Sequence, residues 1–217
     1  MKKSVTGVAV ALMLIIAVSG AAYAADGVEF SAGAKIWAHT LKSEIGNESE
    51  TSDTAILIGP VVGAKFSNNI FIDASFLTTV TKYKFDAGDE TSRTDIDLAV
   101  GYSFIPNLGV YVGYRNSEFS DGGDLTISGP LFGVRGSAPI SDAFSVYGNL
   151  AYLMFENEYE GGSSEDAPGF SIEAGLKYAF MKNLEGGIGY RWDQTEGDDY
   201  NDKLTFSGVT LDLMYKF

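Results

Sequence analysis

The sequence predicts an all-β protein, a transmembrane antiparallel up-and-down β-barrel of about ten strands, with eight strands as the alternative count. Three observations predict it. Apolar and polar residues alternate with a period of two nearly throughout, short and long connections alternate, and no stretch of 18 apolar residues follows residue 24. Successive side chains of a strand point to opposite faces, so one apolar face can meet lipid while the other lines an interior.

The first 24 residues are predicted to be a secretory signal peptide. Lys2 and Lys3 precede an apolar core over 8–18, and Ala22-Tyr23-Ala24 provides a small-x-small cleavage pattern. The core is too short for a membrane helix, which needs about 20 residues. Residues 25–217 then form a single barrel domain, and losing two lysines from a chain of net charge −14 leaves −16.

Composition excludes several classes of protein. The chain has no cysteine, so it has neither a disulfide scaffold nor a thiolate metal site. Its strong negative charge argues against nucleic acid as a partner, because nucleic-acid binding needs a basic surface. The hydrophobic content of 45% is too high for a disordered chain.

Ten segments carry the alternation, and each reaches the roughly 9–11 residues that a tilted strand needs to cross a bilayer. In the last segment every second residue from Val209 to Phe217 is apolar. The predicted strands are 28–42, 54–66, 70–85, 94–104, 108–119, 126–138, 144–157, 169–180, 184–195 and 204–217.

The connections distinguish a membrane barrel from a soluble β-sandwich. Turns of three or four residues follow the even strands, and their Asn, Asp and Pro residues suit tight turns. Longer connections follow the odd strands, at 43–53, 86–93, 120–125, 158–168 and 196–203. Short turns at one end and long loops at the other are typical of outer-membrane barrels, whereas a sandwich mixes turn lengths at both ends.

The C-terminal residues resemble those of a known family. Val209, Leu211, Leu213, Tyr215 and Phe217 resemble the C-terminal signature of bacterial outer-membrane β-barrels. Gly101-Tyr102-Ser103-Phe104 and Gly189-Tyr190-Arg191-Trp192 resemble strands of small opacity-type, porin-like outer-membrane proteins. This resemblance implies a location in the bacterial outer membrane, contact with lipid and lipopolysaccharide, and recognition of the C-terminal residues by the barrel assembly machinery. We expect a monomer.

The inward face is predicted to hold a nearly balanced set of charges. Buried charges are costly unless they are paired, so a balanced set favours internal ion pairs and a polar core over a wide open channel. Bulky inward aromatic residues, among them Trp37, Tyr83 and Phe155, favour the same interpretation. The predicted lumen network consists of Lys35, Lys65, Asp73, Asp95, Asp97, Arg115, Arg135, Glu173, Lys177, Arg191, Asp193 and Asp212.

The long connections, counted together with Glu156 just before 158–168, carry the excess negative charge, with 18 acidic and two basic residues. A solvated surface beside lipopolysaccharide is one interpretation, and a field that concentrates cations or basic partners is the other. The loops lack the spacing of an EF-hand, so neither a metal site nor a cofactor is predicted. The acidic residues singled out are Glu44, Glu48, Glu50, Glu158, Glu160, Asp198, Asp199 and Asp202.

Three functions follow as hypotheses. The leading one is a structural outer-membrane protein or a narrow, weakly cation-preferring pore, and the alternative is a surface adhesin or receptor that acts through its acidic loops. A lipid-modifying enzyme is the least favoured, because no motif pairs the single histidine, His39, with a nucleophile such as Ser43. Asp95 and Asp97 echo the acid pair of outer-membrane proteases, but the Asp-x-His of that family is absent. No catalytic residue is therefore predicted.

Overall fold

The chain forms a closed antiparallel β-barrel in the computed structural model. The structure describes residues 27–85, 88–120, 125–159, 161, 163–197 and 202–217. The predicted signal peptide 1–24 lies outside the described residues, as do Glu160, Asp198 and Asp199. No helix in the described residues is long and apolar enough to cross a membrane.

Ten long strands make the wall of the barrel, as predicted, and two short strands are added at one end. The strands are β1 (Val28–Ile45), β2 (Glu48–Thr51), β3 (Ala55–Phe66), β4 (Ile70–Thr81), β5 (Tyr83–Lys84), β6 (Glu90–Ile105), β7 (Leu108–Ser120), β8 (Leu125–Pro139), β9 (Phe144–Tyr159), β10 (Ser164–Met181), β11 (Leu184–Glu196) and β12 (Lys203–Lys216). The short strands are β2, which pairs with β1, and β5, which pairs with β6.

The first and last strands close the barrel. β12 pairs antiparallel with β1 from Ser31 opposite Lys216 to Glu44 opposite Lys203. The amide of Phe217 donates a further hydrogen bond of 2.9 Å to the carbonyl of Phe30. Closure leaves no row of unpaired backbone groups, which hydrocarbon could not solvate.

The predicted strand bounds are too short where the long connections begin. β1 continues to Ile45 and turns into β2, while β6 begins at Glu90 and β10 at Ser164. The predicted third strand, 70–85, is instead divided at Lys82 into β4 and β5. The hydrophilic side chains in these stretches are typical of loops. A strand is held by hydrogen bonds between backbone groups, however, so it can extend through hydrophilic residues as long as a neighbouring strand lies beside it. We call this end of the barrel the loop end, and the end with the short turns the turn end.

The outward face forms the predicted apolar band. Its large hydrophobic residues are exposed, including all five residues of the C-terminal signature, whose exposed fractions run from 42% at Val209 to 50% at Leu213. Aromatic rings pack against each other on this face, with centroids 4.7 Å apart for Phe144 and Tyr178 and 5.0 Å for Tyr215 and Phe217. A continuous apolar exterior of this kind fits lipid rather than water.

Glycines make room for the inward aromatic rings. A Cβ on Gly133 would lie 2.3 Å from the ring of Tyr111, and one on Gly101 would lie 2.2 Å from the ring of Phe71. Gly133 and Tyr111 are direct cross-strand partners, as are Gly101 and Phe71. The glycines are therefore the small neighbours that let large side chains lie flat inside a narrow barrel.

Candidate functional site in the barrel interior

The interior has a polar zone and an apolar zone. The centre of the polar zone is a network of arginines and aspartates. Arg115 joins two carboxylates, with its Nε 2.5 Å from Asp97 Oδ1 and its Nη1 2.9 Å from Asp193 Oδ2. Arg191 approaches Asp193 at 2.5 Å, and the hydroxyl of Ser171 donates to Asp193 at 2.6 Å. Asp193 is thus held by two guanidinium groups and a hydroxyl, which offsets the cost of burying its charge.

A second group of predicted residues surrounds Glu173. Lys35 Nζ lies 2.8 Å from Glu173 Oε2. The hydroxyls of Thr210 and Tyr147 donate to Glu173 Oε1 at 3.0 and 3.1 Å. Residues from β1, β9, β10 and β12 meet here, so this group ties together strands on both sides of the closure.

Nearer the turn end the pairs are more exposed. Arg135 forms a salt bridge with Asp73 and lies over the ring of Phe71. Lys177 lies 2.9 Å from Glu185, which the predicted network does not include. Lys65 and Asp212 face the same space, but neither forms a salt bridge with another described residue. Together with Asp95, which pairs with Arg93, ten of the twelve predicted network residues form a salt bridge with a described residue, and these two do not.

These side chains line a polar cavity of about 600 Å³ that reaches the turn end, where Pro106 and Asn107 form part of its wall. Seven lysines and arginines and six aspartates and glutamates line it among the described residues, so its charge is nearly balanced. The balance agrees with the sequence-based assignment of charges to the inward face. It provides no local source of cation preference within the cavity.

The other zone is apolar, and of its residues only Trp37, Tyr83 and Phe155 are among the predicted inward aromatic residues named above. Buried residues from eight strands meet inside the barrel toward the loop end, and we call this set the apolar layer. It comprises Trp37, Leu41, Ala55, Leu57, Leu77, Tyr83, Phe119, Ile127, Leu131, Ala151, Leu153, Phe155 and Phe206. The prediction of a mainly polar core is therefore wrong for this half of the interior. The layer could not be predicted from β3, because Ala55-Ile56-Leu57-Ile58 is apolar on both faces. Alternation therefore cannot show which face of this strand is inward.

Arg93 lies within the apolar layer, although the sequence places it in the loop 86–93. It is 3% exposed and its Nε lies 2.6 Å from Asp95 Oδ1. Its guanidinium carbon lies 4.2 Å from the ring centroid of Phe206 and 5.3 Å from those of Trp37 and Phe119. One carboxylate, the hydroxyl oxygen of Ser117 at 3.2 Å and three aromatic faces thus surround this charge.

His39 lies inward near the loop end and is almost fully buried. Its Nε2 lies 2.5 Å from the hydroxyl of Tyr83, and its ring stacks on Trp37 at 3.7 Å. Ser43 is four residues further along the same strand, about 13 Å away at the rise of a β-strand. Asp95 and Asp97, which resemble the acid pair of outer-membrane proteases, each form a salt bridge with an arginine. None of these residues forms a nucleophile and base within hydrogen-bond reach of each other.

The described acidic residues of the long connections lie on or beside the extended strands. Glu48 and Glu50 are exposed on β2, and Glu158 is exposed near the end of β9. Glu44 lies 2.9 Å from Lys42, and the hydrogen bond from that lysine lowers the pKa of Glu44. The long connections are thus partly hairpins that continue the barrel wall.

Asp202 differs from the other acidic residues because it lies close to a buried carboxylate. Partial burial and the nearby Glu165 raise the pKa of Asp202 above its usual value. The hydroxyl of Tyr159 lies 2.5 Å from Glu165 Oε1, and burial together with this hydrogen bond raises the pKa of Tyr159 to about 12. Glu165 itself is 7% exposed and faces inward. Among the described residues, no three His, Asp or Glu side chains are grouped so as to hold a metal ion.

Comparison with solved structures gives barrels of the same kind. The outer membrane protease OmpT from Escherichia coli superimposes with a TM-score of 0.63 at 13% identity, over 88% of this chain and 97% of that one. The Neisserial surface protein A (NspA) gives a TM-score of 0.48 at 13% identity, over 88% of this chain and all of the other. At these identities the likeness to OmpT shows the fold alone. No curated protein sequence matches the chain.

The family described as "Outer membrane protein beta-barrel domain" matches residues 8–217, nearly the whole chain. Proteins of this family and their structural neighbours are located in the bacterial outer membrane, in agreement with the predicted location. The closed barrel of ten strands, its apolar exterior and this match lead to one conclusion: the chain belongs to the outer membrane protein beta-barrel domain family.

Proposed function

We propose that this protein is a closed outer-membrane barrel that acts as a membrane-embedded scaffold rather than as an open pore. The observation that carries the proposal is the apolar layer with Arg93 inside it. The layer draws residues from eight strands, so it extends across the interior rather than along one wall. An ion crossing it would lose its hydration without gaining a polar path, which is the basis of hydrophobic gating.

The polar cavity supports the same proposal. It reaches the turn end, which faces the periplasm in outer-membrane barrels, and it ends against Leu77 and Leu131. Its walls are tied by salt bridges such as Lys35 to Glu173, so the charges are already neutralised by each other. The cavity is then a water-accessible recess of a structural barrel and not half of a conducting path.

Planar-bilayer recording of the refolded protein tests this proposal. Phe119 and Phe206 stack at 5.9 Å within the apolar layer, so changing both to alanine should open a polar route past Arg93. We expect no discrete conductance steps from the native protein and clear steps from the double variant. Lys65→Ala is the matched control, because it widens the cavity and leaves the layer intact. Conductance of equal size and frequency in the native protein would contradict a closed interior.

Surface recognition is a second candidate, and the extended hairpins favour it. β9 and β10 continue beyond the apolar band, and their outward side chains there include Glu156, Glu158 and Asp166, all exposed. A rigid acidic surface of this kind suits a basic partner and increases its association rate. Cell or ligand adherence of a Glu156→Gln/Glu158→Gln/Asp166→Asn variant tests it, and unchanged adherence counts against it. These substitutions are preferable to deletion of 158–168, which would also remove strand pairing.

We further propose that the chain does not act as a lipid-modifying enzyme through His39. Its ring is enclosed by Trp37, Tyr83 and Phe206, so a substrate would have to displace the packing of the apolar layer to reach it. His39→Ala should leave the lipopolysaccharide profile unchanged. An altered profile would restore the enzymatic hypothesis.

A further inference from the structure

At the loop end, four buried oxygen atoms have no hydrogen-bond partner in the described part of the chain. They are Asn157 Oδ1, Glu165 Oε2, Thr195 Oγ1 and Asp202 Oδ1. Asn157, Thr195 and Glu165 are 2%, 4% and 7% exposed. Leaving a buried polar atom unpaired is costly, so four of them, on three adjacent strands and at the residue before β12, need an explanation.

The strand register brings the four residues together. Asn157 on β9 is the direct cross-strand partner of Glu165 on β10, and its amide donates to Glu165 Oε1 at 3.2 Å. The carboxylate of Glu165 lies over Gly197, where a Cβ would be 2.8 Å from Oε1. The Gly197 amide in turn donates to the Asp202 carbonyl at 2.7 Å.

Thr195 completes the group on β11. It is two residues before Gly197 and therefore on the same inward face of the strand. It also lies directly across from Leu204 of β12, two residues after Asp202. Glu165, Thr195 and Asp202 thus neighbour Gly197, and Asn157 is the cross-strand neighbour of Glu165. We call the space among these four side chains the recess.

The charge of this recess is uncompensated. Glu165 and Asp202 interact electrostatically with each other, and neither forms a salt bridge with a described lysine, arginine or histidine. The phenol of Tyr159 donates to Glu165 Oε1, and within the described part of the chain Oε2 has no hydrogen-bond partner. Two carboxylates, an amide oxygen and a hydroxyl without a cation are the ligand types that Ca²⁺ prefers.

Water explains the recess less well. One water donates two hydrogen bonds, whereas three of the four atoms are acceptors only and two of them belong to carboxylates. The remaining unpartnered buried atoms of the described chain differ in kind. Trp37 Nε1 and Arg93 Nη1 are donors and Asp95 Oδ2 is an acceptor, a mixture that a single water can bridge.

The recess lies above the membrane. On β9 the outward residues change from the apolar Tyr152 and Met154 to the exposed Glu156 and Glu158. Asn157 lies between these two glutamates, beyond the apolar band. The loop end faces the cell exterior in this class of protein, where sites with dissociation constants of about 10⁻⁴–10⁻³ M can be occupied by Ca²⁺.

We propose that Asn157, Glu165, Thr195 and Asp202 form a divalent-cation site, suited to Ca²⁺, that fastens the β9–β10 hairpin to the base of the β11–β12 connection. The bound ion neutralises the two carboxylates and gives partners to all four oxygens. The site goes beyond the proposed scaffold function and does not depend on it, since a conducting barrel could carry the same recess.

Terbium luminescence of the full-length protein refolded in detergent tests the site. Tb³⁺ replaces Ca²⁺ at oxygen sites, and Tyr159 is in hydrogen-bond contact with Glu165, so excitation of tyrosine should produce saturable Tb³⁺ emission that excess Ca²⁺ removes. We expect Glu165→Gln and Asp202→Asn each to weaken binding by about tenfold or more. Glu158→Gln is the matched control, with the same change of charge on the same hairpin but an outward, exposed side chain.

Thermal unfolding gives an independent reading of the same site. Ca²⁺ should raise the unfolding temperature of the native protein and of Tyr159→Phe, while the Tb³⁺ emission of Tyr159→Phe falls. Glu165→Gln and Asp202→Asn should lose this Ca²⁺ effect, and Asp202→Asn should keep native heat-modifiable gel mobility because Asp202 lies outside the barrel wall. The proposal is overturned if the native protein shows no saturable Tb³⁺ binding, or if both variants bind as tightly as the Glu158→Gln control.

Discussion

The guanidinium of Arg93 lies 4.2 Å from the ring centroid of Phe206, inside a barrel whose exterior faces lipid. Arg93 belongs to β6 and Phe206 to β12, so the contact crosses the interior rather than joining neighbouring strands. The aromatic rings, Asp95 and Ser117 hold this guanidinium in the space that a passing ion would have to cross. This relationship is why we regard the loop half of the interior as closed.

Replacing Arg93 by methionine should destabilise the barrel strongly. Asp95 is fully buried, so its carboxylate would lose the charge that neutralises it, at a cost of about 3–5 kcal/mol. Urea unfolding in lipid vesicles, followed by tryptophan fluorescence, measures the loss. The double variant Arg93→Met/Asp95→Leu removes both charges and should recover most of it. Equal losses in the single and double variants would show that the ion pair is not the cause.

Removing the charge of Asp193 should lower the free energy of unfolding more than removing the charge of Asp212. Asp193→Asn would leave Arg115 and Arg191 close together with one negative partner fewer, and we expect a loss of about 3–5 kcal/mol in the free energy of unfolding. Asp212→Asn is the control, because Asp212 forms no salt bridge with a described residue. A similar loss in both variants would contradict the pairing described above.

Removing the Tyr83 hydroxyl should have a smaller effect. Tyr83→Phe leaves His39 Nε2 buried without its partner, which costs about 1–3 kcal/mol. The same unfolding measurement applies, with Tyr102→Phe as a control on the exposed outer face. If the two phenylalanine variants are equally stable, the His39–Tyr83 hydrogen bond does not stabilise the apolar layer.

The C-terminal strand should control assembly rather than final stability. Phe217 is on the outer face and 43% exposed, so Phe217→Ala removes little buried surface from the folded barrel. If the barrel assembly machinery reads this residue, the variant should accumulate less heat-modifiable protein in cells and yet refold normally in detergent. Normal assembly in cells would remove Phe217 from the proposed recognition signal. Phe180→Ala, on the same face, is the comparison.

Much of the fold could be predicted because alternation and connection length both report on backbone geometry. The last strand shows this directly, since every second residue from Val209 to Phe217 meets lipid. Arg93 could not be placed, because a hydrophilic stretch reads as a loop whether or not its backbone continues a strand. Most of the apolar layer could not be predicted either, because an inward leucine such as Leu57 cannot be distinguished in the sequence from a leucine that faces lipid.

Alternation places residues such as Arg191 and Asp193 side by side on one face, but it cannot pair inward charges that are distant in the sequence. Alternation assigns Arg115 and Asp193 to the interior, but they are 78 residues apart and meet only because the barrel closes. The recess around Gly197 depends in the same way on the register of four strands. Such contacts arise from tertiary structure, and no local pattern in the sequence encodes them.

Thiol labelling tests the closed interior most directly. The chain has no cysteine, so in each variant the labelling comes from the introduced thiol alone. Lys65→Cys places a thiol in the polar cavity, and Leu153→Cys places one in the apolar layer, where the native side chain is fully buried. With a charged, water-soluble reagent and refolded protein, we predict rapid labelling at position 65 and protection at position 153 until the barrel unfolds. Labelling at comparable rates at both positions would contradict a closed interior.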